Sequence, residues 1–189
     1  MPIDCLPPIN VQTARLNLRP ASARDAPAML DYYLANREHL QPWEPLRKDR
    51  FYTLPVQTRR LEIMEQKMLA VVALQLLIWC PASNQLLGEC HFTNMIRGPY
   101  QACHLVFSIG AEWQGQGLMR EGLAAATSLV FDTYGLHRIM ASYCHDNARC
   151  GRLLQRLGFD TEGTARSHLK INGTWRDQVL TALIDDRWA

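Results

Sequence analysis

The chain has 189 residues, a length typical of one compact domain and sufficient to bury a substantial hydrophobic core. Its 20 Lys and Arg residues against 18 Asp and Glu residues leave a formal net charge of +2, so the composition does not favour a protein held on nucleic acid by charge. With 48% hydrophobic and 20% charged residues, the chain is neither disordered nor collagen-like.

The N-terminal half predicts a strand, two helices and a hairpin. Alternating apolar and polar residues indicate a half-buried strand, and apolar residues at helical spacing indicate the helices. Two apolar runs separated by turn residues predict an antiparallel pair of strands. In chain order these elements are a strand over residues 14–19, a helix capped by Asp25, a helix that begins near Thr53, and strands over residues 71–79 and 86–93.

The C-terminal half predicts strands that alternate with helices and a closing hairpin. Its elements are a fourth strand over residues 102–109, a helix from Leu118, a fifth strand over residues 138–144, a short helix capped by Asn147, and hairpin strands over residues 165–171 and 175–184. The Asn-Gly dipeptide at 172–173 is the strongest hairpin signal in the chain. This order predicts a mixed α/β sheet in a single domain that spans residues 1–189.

The cysteines and the N-terminal segment bear on where the protein works. Six cysteines without a C-x-x-C pair indicate a reduced, intracellular chain, in which most of them are buried apolar residues. No secretory signal and no apolar stretch of membrane-spanning length are evident, so we expect a cytoplasmic protein with no membrane partner. The histidines lack metal-ligand spacing, and no metal is expected.

A glycine-containing turn joins the fourth strand to the next helix. Gly115 and Gly117 leave main-chain N–H groups unshielded at the start of a helix, where the helix dipole is positive. Such a turn binds anions, and phosphate in particular. A tight turn without a ligand is the alternative, and the spacing fits neither the dinucleotide nor the nucleotide triphosphate motif.

Two motifs together resemble the GNAT family of N-acetyltransferases. The first consists of Gln114, Gly115, Gln116 and Gly117 at the start of a helix, and the second of Asn147 with the later Leu157, Gly158 and Phe159. Met119 and Cys150 depart from the family pattern, which has Gly or Ala and Ser there. The resemblance implies the GNAT fold, which is a single mixed, mostly antiparallel sheet splayed between its fourth and fifth strands and flanked by about four helices.

The resemblance also implies acetyl-CoA as cosubstrate. The pantetheine arm would pair with the edge of the fourth strand, and its diphosphate would rest on the glycine turn. The N–H near Phe107 would stabilise the oxyanion that forms during transfer. The implied cofactor-binding residues are Phe107, Ser108, Ile109, Gln114, Gly115, Gln116, Gly117, Leu118, Met119, Asn147 and Cys150.

Several side chains are candidates for the proton transfers. Tyr143 could protonate the departing thiolate, or it could be a core tyrosine, and Cys150 could donate that proton instead. Glu89 could hold a water that relays the amine proton, with an exposed strand carboxylate as the alternative. Cys150 is not expected to be a nucleophile, because no histidine and carboxylate set accompanies it.

Three further residues are candidates for binding the acceptor. Glu44 could anchor an incoming α-ammonium group, with Trp43 packed beside it, although this loop could equally be a surface clamp. His104, at the start of the fourth strand, titrates in a useful range, although it could be an ordinary strand-end residue.

The branch of the family is indicated by three strings, at residues 40–45, 113–119 and 172–177. They resemble the ribosomal-protein alanine N-acetyltransferases, so the expected acceptor is a protein N-terminal α-amine, in particular the N-terminal alanine of a ribosomal protein. Such an amine is neutral roughly one time in seven at pH 7, whereas a lysine is neutral about once in 2500, so it needs little help from a base. A small-molecule amine acceptor and a non-catalytic acyl-CoA-binding module on the ribosome remain alternatives. Nucleic acid is not required, and the oligomeric state stays open.

Overall fold

The computed structural model of the chain describes residues 9–188. Its strands are β1 (Val11–Gln12), β2 (Asn17–Pro20), β3 (Leu74–Cys80), β4 (Gln85–Ile96), β5 (Ala102–Ile109), β6 (Arg138–Cys144), β7 (Asp160–Ile171) and β8 (Thr174–Ile184). Its α-helices are α1 (Ala26–Ala35), α2 (Arg37–Leu40), α3 (Leu54–Leu69), α4 (Leu118–Tyr134) and α5 (Ala148–Arg156). The fourth and fifth predicted strands are β5 and β6 of the structure, because no strand was predicted at β1.

The eight strands form one sheet in the order β1-β2-β3-β4-β5-β6-β8-β7. Every neighbouring pair is antiparallel except β5 and β6, which are parallel. The predicted fold, a mixed and mostly antiparallel α/β sheet with helices around it, is therefore confirmed.

Helices cover both faces of the sheet, so the central strand β3 is apolar on both sides. Leu76 and Ile78 pack in the core beneath α4 and α5, whereas Leu77 and Trp79 pack in the core beneath α1 and α3. Successive side chains of a strand point to opposite faces, and a strand buried on both faces therefore reads as a continuous apolar run. This is the reason that residues 74–80 show no alternation.

The structure corrects two strand boundaries near the N-terminal half. The strand predicted over residues 14–19 begins at Asn17, because Thr13 closes a turn by donating its N–H to the Leu16 carbonyl at 2.9 Å. The strand predicted from residue 71 begins at Leu74, because Val71 has a φ of +56° and the Val72 N–H returns to the Lys67 carbonyl at 3.1 Å. That return bond belongs to the C-terminal turn of α3.

The β7–β8 hairpin reaches across to the segment after α2. Asn172 and Gly173 both have positive φ, +44° and +82°, as a two-residue hairpin turn with the twist of its strands requires. The Asn172 N–H donates to the Glu44 carbonyl at 2.8 Å. This contact joins the hairpin to residues 41–46.

Cys90, Cys103 and Cys144 are buried free thiols, whereas Cys80 and Cys150 are half-buried and Cys5 lies outside the described residues. Among residues 9–188, none of the helices has the length and apolar character of a membrane-spanning segment.

Candidate active site

The sheet opens between β5 and β6. These parallel strands pair at only three positions, Ala102 with Arg138, Cys103 with Ile139 and His104 with Met140. Beyond His104, β5 continues along β4 and β6 continues along β8, so the two strands diverge. The divergence leaves a gap beside residues 105–109.

The register of β5 on β4 determines which main-chain groups face this gap. The Gly110 N–H donates to the Leu87 carbonyl at 2.8 Å, which makes the opposed residues Ile109 and Gly88 a non-hydrogen-bonded pair. By alternation, Phe107 and Ile109 direct their N–H and C=O groups into the gap. Ser108 directs its main chain to β4, and its hydroxyl accepts a hydrogen bond from Tyr32 at 2.9 Å.

The glycine turn lies at the end of β5, beside the gap. Gly115 and Gly117 both have a φ of +76°, and Gly117 is the N-cap residue of α4. Main-chain N–H groups of residues 115–120 donate no hydrogen bond to any other described residue. Nothing lies within 4 Å of the position that a Cβ on Gly115 would take, so the turn is open on that side. Unpaired amides at an accessible helix N-terminus fit a diphosphate.

Side chains from distant parts of the chain hold the turn in place. Asn36 accepts the Ala111 N–H at 2.9 Å, and the Gln114 side chain lies 3.0 Å from His39 Nε2. His39 Nε2 is also 3.2 Å from the Ile109 carbonyl oxygen, at the edge of the gap. Arg15 donates to the Gln116 carbonyl at 2.9 Å. The turn is therefore anchored to α1, α2 and the segment before β2.

Leu118 and Met119 contribute main-chain N–H groups at the start of α4, while their side chains are buried in the core. Met119 stands where the family pattern has Gly or Ala. Its larger side chain fills the core beneath the turn, and its main-chain amide stays in place at the start of α4.

The opposite wall of the gap is formed by β6 and the start of α5. Asn147 is the N-cap residue of α5, and its side-chain oxygen accepts the Cys150 N–H at 3.1 Å. Burial, with a smaller contribution from Cys144, raises the pKa of the Cys150 thiol to about 12, so this thiol stays protonated near neutral pH. The structure thus places Asn147 and Cys150 together in the first turn of α5.

Tyr143 lies directly against this helix. A Cβ placed on Gly151 would lie 2.7 Å from the Tyr143 hydroxyl oxygen and 2.8 Å from its ring carbon Cζ. The tyrosine therefore occupies the space that the missing side chain of Gly151 leaves, and its hydroxyl is held over α5.

A buried polar cluster lies on the other face of the sheet, beneath α1. The Glu89 carboxylate accepts hydrogen bonds from the Tyr33 hydroxyl at 2.6 Å and from the Gln75 amide at 2.7 Å, and it lies 2.6 Å from His91 Nε2. The expected alternative of an exposed strand carboxylate is wrong, because Glu89 is only 4% exposed.

The charge state of Glu89 follows from its partners. Burial would raise the pKa of Glu89, but the His91 charge and the hydrogen bonds from His91 and Tyr33 outweigh it and lower that pKa to about 2. For Tyr33, burial and the neighbouring Glu89 raise the pKa well above its usual value. The carboxylate is therefore ionised, and the tyrosine neutral, at neutral pH.

Glu44 lies on the same side of the sheet, after α2. Burial raises the pKa of Glu44, the Arg47 guanidinium opposes this shift, and the Glu89 charge adds to it. The Glu44 carboxylate is 3.4 Å from Arg47 Nε, and it lines a small pocket whose other walls include Tyr33 and Tyr52. Trp43 next to it is 38% exposed.

His104 lies at the last of the three β5–β6 pairs, where the two strands part. Its side chain is on the face of β5 shared with Val106 and Ser108. Burial and the nearby His168 lower the pKa of His104, so its ring favours the neutral form.

Several site residues were not found from the sequence. Tyr32, Tyr33, Gln75, Asn36 and His39 reach the site from α1, α2 and β3. The one usable signal was the two-residue spacing of Glu89 and His91 on a strand, which places both side chains on one face. No three His, Cys, Asp or Glu side chains within residues 9–188 are grouped so as to hold a metal ion.

The chain is similar in sequence and in structure to known acetyltransferases. A family model described as an acetyltransferase (GNAT) domain matches residues 15–160. The chain is 41% identical over 183 residues to the "[Ribosomal protein uS5]-alanine N-acetyltransferase" of Escherichia coli. This alignment covers 97% of this chain and 94% of that protein. A crystal structure of ribosomal-protein-S5-alanine acetyltransferase from Vibrio fischeri superposes with a TM-score of 0.91 at 32% identity, over 96% of this chain and 99% of the other. Mycobacterium smegmatis RimJ, solved in complex with CoA-disulfide, has the same fold, with a TM-score of 0.89 at 24% identity over 95% and 89% of the two chains.

Proposed function

The chain belongs to the GNAT family of acetyltransferases, and on this premise we propose that it transfers the acetyl group of acetyl-CoA to the N-terminal α-amine of a ribosomal protein. The first candidate acceptor is the N-terminal alanine of uS5, the residue and protein named for its Escherichia coli relative. We also propose that residues 1–189 form a single domain and that the reaction takes place in the cytoplasm, where ribosomal proteins are synthesised.

The observation that carries the proposal is the set of unpaired main-chain donors beside the gap. The amides of residues 115–120 fit the diphosphate of CoA, and the main-chain groups of Phe107 together with the Ile109 N–H fit the amide groups of a pantetheine arm. Asn147 and Cys150 line the opposite wall. A strand edge and a helix N-terminus side by side therefore match the two chemically different halves of one cosubstrate.

Acetyl-CoA supplies the acetyl group as an activated thioester. In our proposal the Phe107 N–H stabilises the negative charge that develops on the thioester oxygen, because it points into the gap. The Tyr143 hydroxyl, held over α5 by its contact with Gly151, protonates the departing sulfur, and Cys150 adds a weaker donor there.

The acceptor side of the proposal rests on the opposite face of the sheet. Glu44, beside Trp43, binds the α-ammonium group of the incoming N-terminus. His104 lies where β5 and β6 part, and in our proposal the acceptor enters there. Glu89 supports the removal of the amine proton from its buried position. The Asn172 N–H donates to the Glu44 carbonyl and so links the β7–β8 hairpin to the segment that carries Glu44. In our proposal the hairpin and this segment lie on the two sides of the bound protein N-terminus.

The proposal is tested by mass spectrometry of recombinant uS5 with a free N-terminal alanine after incubation with the protein and acetyl-CoA. We expect one added acetyl group, located on the α-amine by fragmentation. A second uS5 that begins with serine tests the preference for alanine. Acetylation of spermidine without acetylation of either uS5 would favour the small-amine alternative and reject the ribosomal acceptor.

A further inference from the structure

The pairing of His91 with Glu89 fixes the tautomer of the histidine ring. The side chains of Glu89 and His91 are only 5% and 15% exposed, and Nε2 lies 2.6 Å from the carboxylate. An ionised carboxylate accepts hydrogen bonds and donates none, so Nε2 carries the proton of this contact. In the neutral ring, Nδ1 is therefore left with a free lone pair.

The free nitrogen is not completely enclosed. Nδ1 of His91 has no hydrogen-bond partner among the described residues, and it is not one of the buried side-chain atoms without a partner. The residue directly opposite on β5 is Val106, which is 60% exposed. Side chains opposed in this way lie about 5 Å apart at Cβ. The imidazole thus borders the exposed surface at Val106, on the face of the sheet that carries Glu44 and His104.

The same position is close to the proposed reaction centre. Val106 is the residue before Phe107, whose N–H points into the gap, and Ser108 opposes Glu89 in the same ladder. The pair consisting of His91 and Glu89 therefore flanks the stretch of β5 at which the thioester is proposed to lie.

We propose that His91 is the proton acceptor of the transfer and that Glu89 is its positioning residue. This inference rests on the proposed function and deepens it. The amine nitrogen forms the new bond to the acetyl carbon and loses one proton to Nδ1 of His91. The C–S bond breaks, and its electron pair leaves on sulfur, which takes a proton from Tyr143. Glu89 holds the ring through Nε2 and balances the positive charge that the imidazolium acquires.

The surrounding charges allow this role. Charged and titratable groups lie around the pair on the packed elements, namely His104 on β5, Tyr32 and Tyr33 on α1, Arg60 on α3, and Glu44 after α2. Hydrogen bonds from His91 and Tyr33 favour the ionised form of Glu89 whether the ring is charged or neutral. The neutral ring is the active form, because only its Nδ1 lone pair can take the amine proton, so protonation of the ring must stop the transfer.

The test is the pH dependence of kcat for uS5 acetylation by the wild type, His91→Gln and Glu89→Gln. We expect His91→Gln to lower kcat by about 100-fold and to abolish the acid limb, with KM for acetyl-CoA unchanged. Glu89→Gln is expected to lower kcat less and to displace the acid limb. Glu62→Gln is the control, because Glu62 is partly exposed on α3 and lies outside the proposed site. A wild-type kcat and acid limb in His91→Gln would overturn the proposal.

A second measurement does not depend on the acceptor or on the folding of a variant. Nitrogen NMR of isotope-labelled wild-type protein reports the tautomer of each neutral histidine. We expect the ring of His91 to be protonated at Nε2, and protonation at Nδ1 would overturn the inference. A wild-type protein that acetylates no uS5 would reject the proposed function itself. Failure of the proposed function can therefore be distinguished from failure of the role proposed for His91.

Discussion

The two edges of β5 are built in opposite ways. On the β4 side, residues 104–109 pair with residues 88–93 without interruption. On the β6 side, pairing stops after three positions and the remaining main-chain groups face a gap. One strand thus has a closed edge that completes the sheet and an open edge that can bind a ligand.

The polar groups beside the two edges differ in the same way. Next to the closed edge, the Glu89 carboxylate is buried and has three partners. Next to the open edge, the amides of residues 115–120 have none among the described residues. An unpaired polar group costs about 1–3 kcal/mol once it is buried, so an open edge is tolerated where water or a ligand can reach it. We expect substitutions of Glu89 to change stability, and side-chain substitutions at the open edge that leave the main chain in place to change activity at nearly constant stability.

The largest expected effect concerns Glu89 and acid stability. The pKa of Glu89 is about 2 in the folded protein and near its usual 4.5 in the unfolded chain. A lowered folded-state pKa stabilises the fold above pH 4.5, and this contribution is lost as the pH falls from 4.5 towards 2. Urea unfolding of the wild type and Glu89→Gln should therefore differ by roughly 3 kcal/mol more at pH 6 than at pH 2. The control is Glu62→Gln, since Glu62 is partly exposed on α3, and an equal pH dependence in Glu89→Gln and the wild type would contradict this assignment.

The next effect concerns Tyr143 at the open edge. Tyr143→Phe keeps the ring against Gly151 and removes only the hydroxyl, so we expect kcat to fall about 100-fold while the urea midpoint stays the same. Tyr100→Phe is the matched control, because Tyr100 is 46% exposed and outside the proposed site. If Cys150 supplies the proton instead, Tyr143→Phe will keep its kcat and Cys150→Ala will lose it.

The sequence predicted the elements whose signals are local. The bounds of β5 and β6 were predicted to the residue, and the Asn-Gly turn of the last hairpin was found, because alternation and turn chemistry lie within a few consecutive residues. The boundary at Val71 was wrong, since an apolar run does not reveal a residue that closes a helix with positive φ.

The polar cluster was harder to predict because it joins distant parts of the chain. Glu89 is bonded to Tyr33, which lies 56 residues earlier, and to Gln75 on another strand. Strand periodicity places Glu89 and His91 on one face, but it does not say whether that face is covered by α1 or open to solvent. For the same reason, the anchoring of the glycine turn by Asn36, 75 residues before Ala111, has no sequence signal.

A smaller effect is expected at the glycine turn, where two glycines can be compared. Gly117 and Gly98 have nearly equal φ values of +76° and +72°, and an added Cβ makes no contact shorter than 3.6 Å at either position. Alanine should therefore cost a similar 1–2 kcal/mol of stability at both. Only Gly117→Ala should weaken CoA binding, by about tenfold in calorimetry, because it displaces the amides at the start of α4. Equal CoA affinities in the two variants would contradict a diphosphate site at this turn.

The smallest effect tests whether Glu44 belongs to the acceptor side. Because burial raises its pKa, the Glu44 carboxylate loses its charge at a higher pH than an exposed glutamate does. An α-ammonium group is bound only by the ionised form, so KM for uS5 should rise as the pH falls towards the pKa of Glu44. Glu44→Gln should raise KM about five- to tenfold with little change in kcat, and it should remove this pH dependence. Glu38→Gln, on the exposed side of α2, should leave KM unchanged, and a fall in kcat instead of a rise in KM would assign Glu44 to the chemical step.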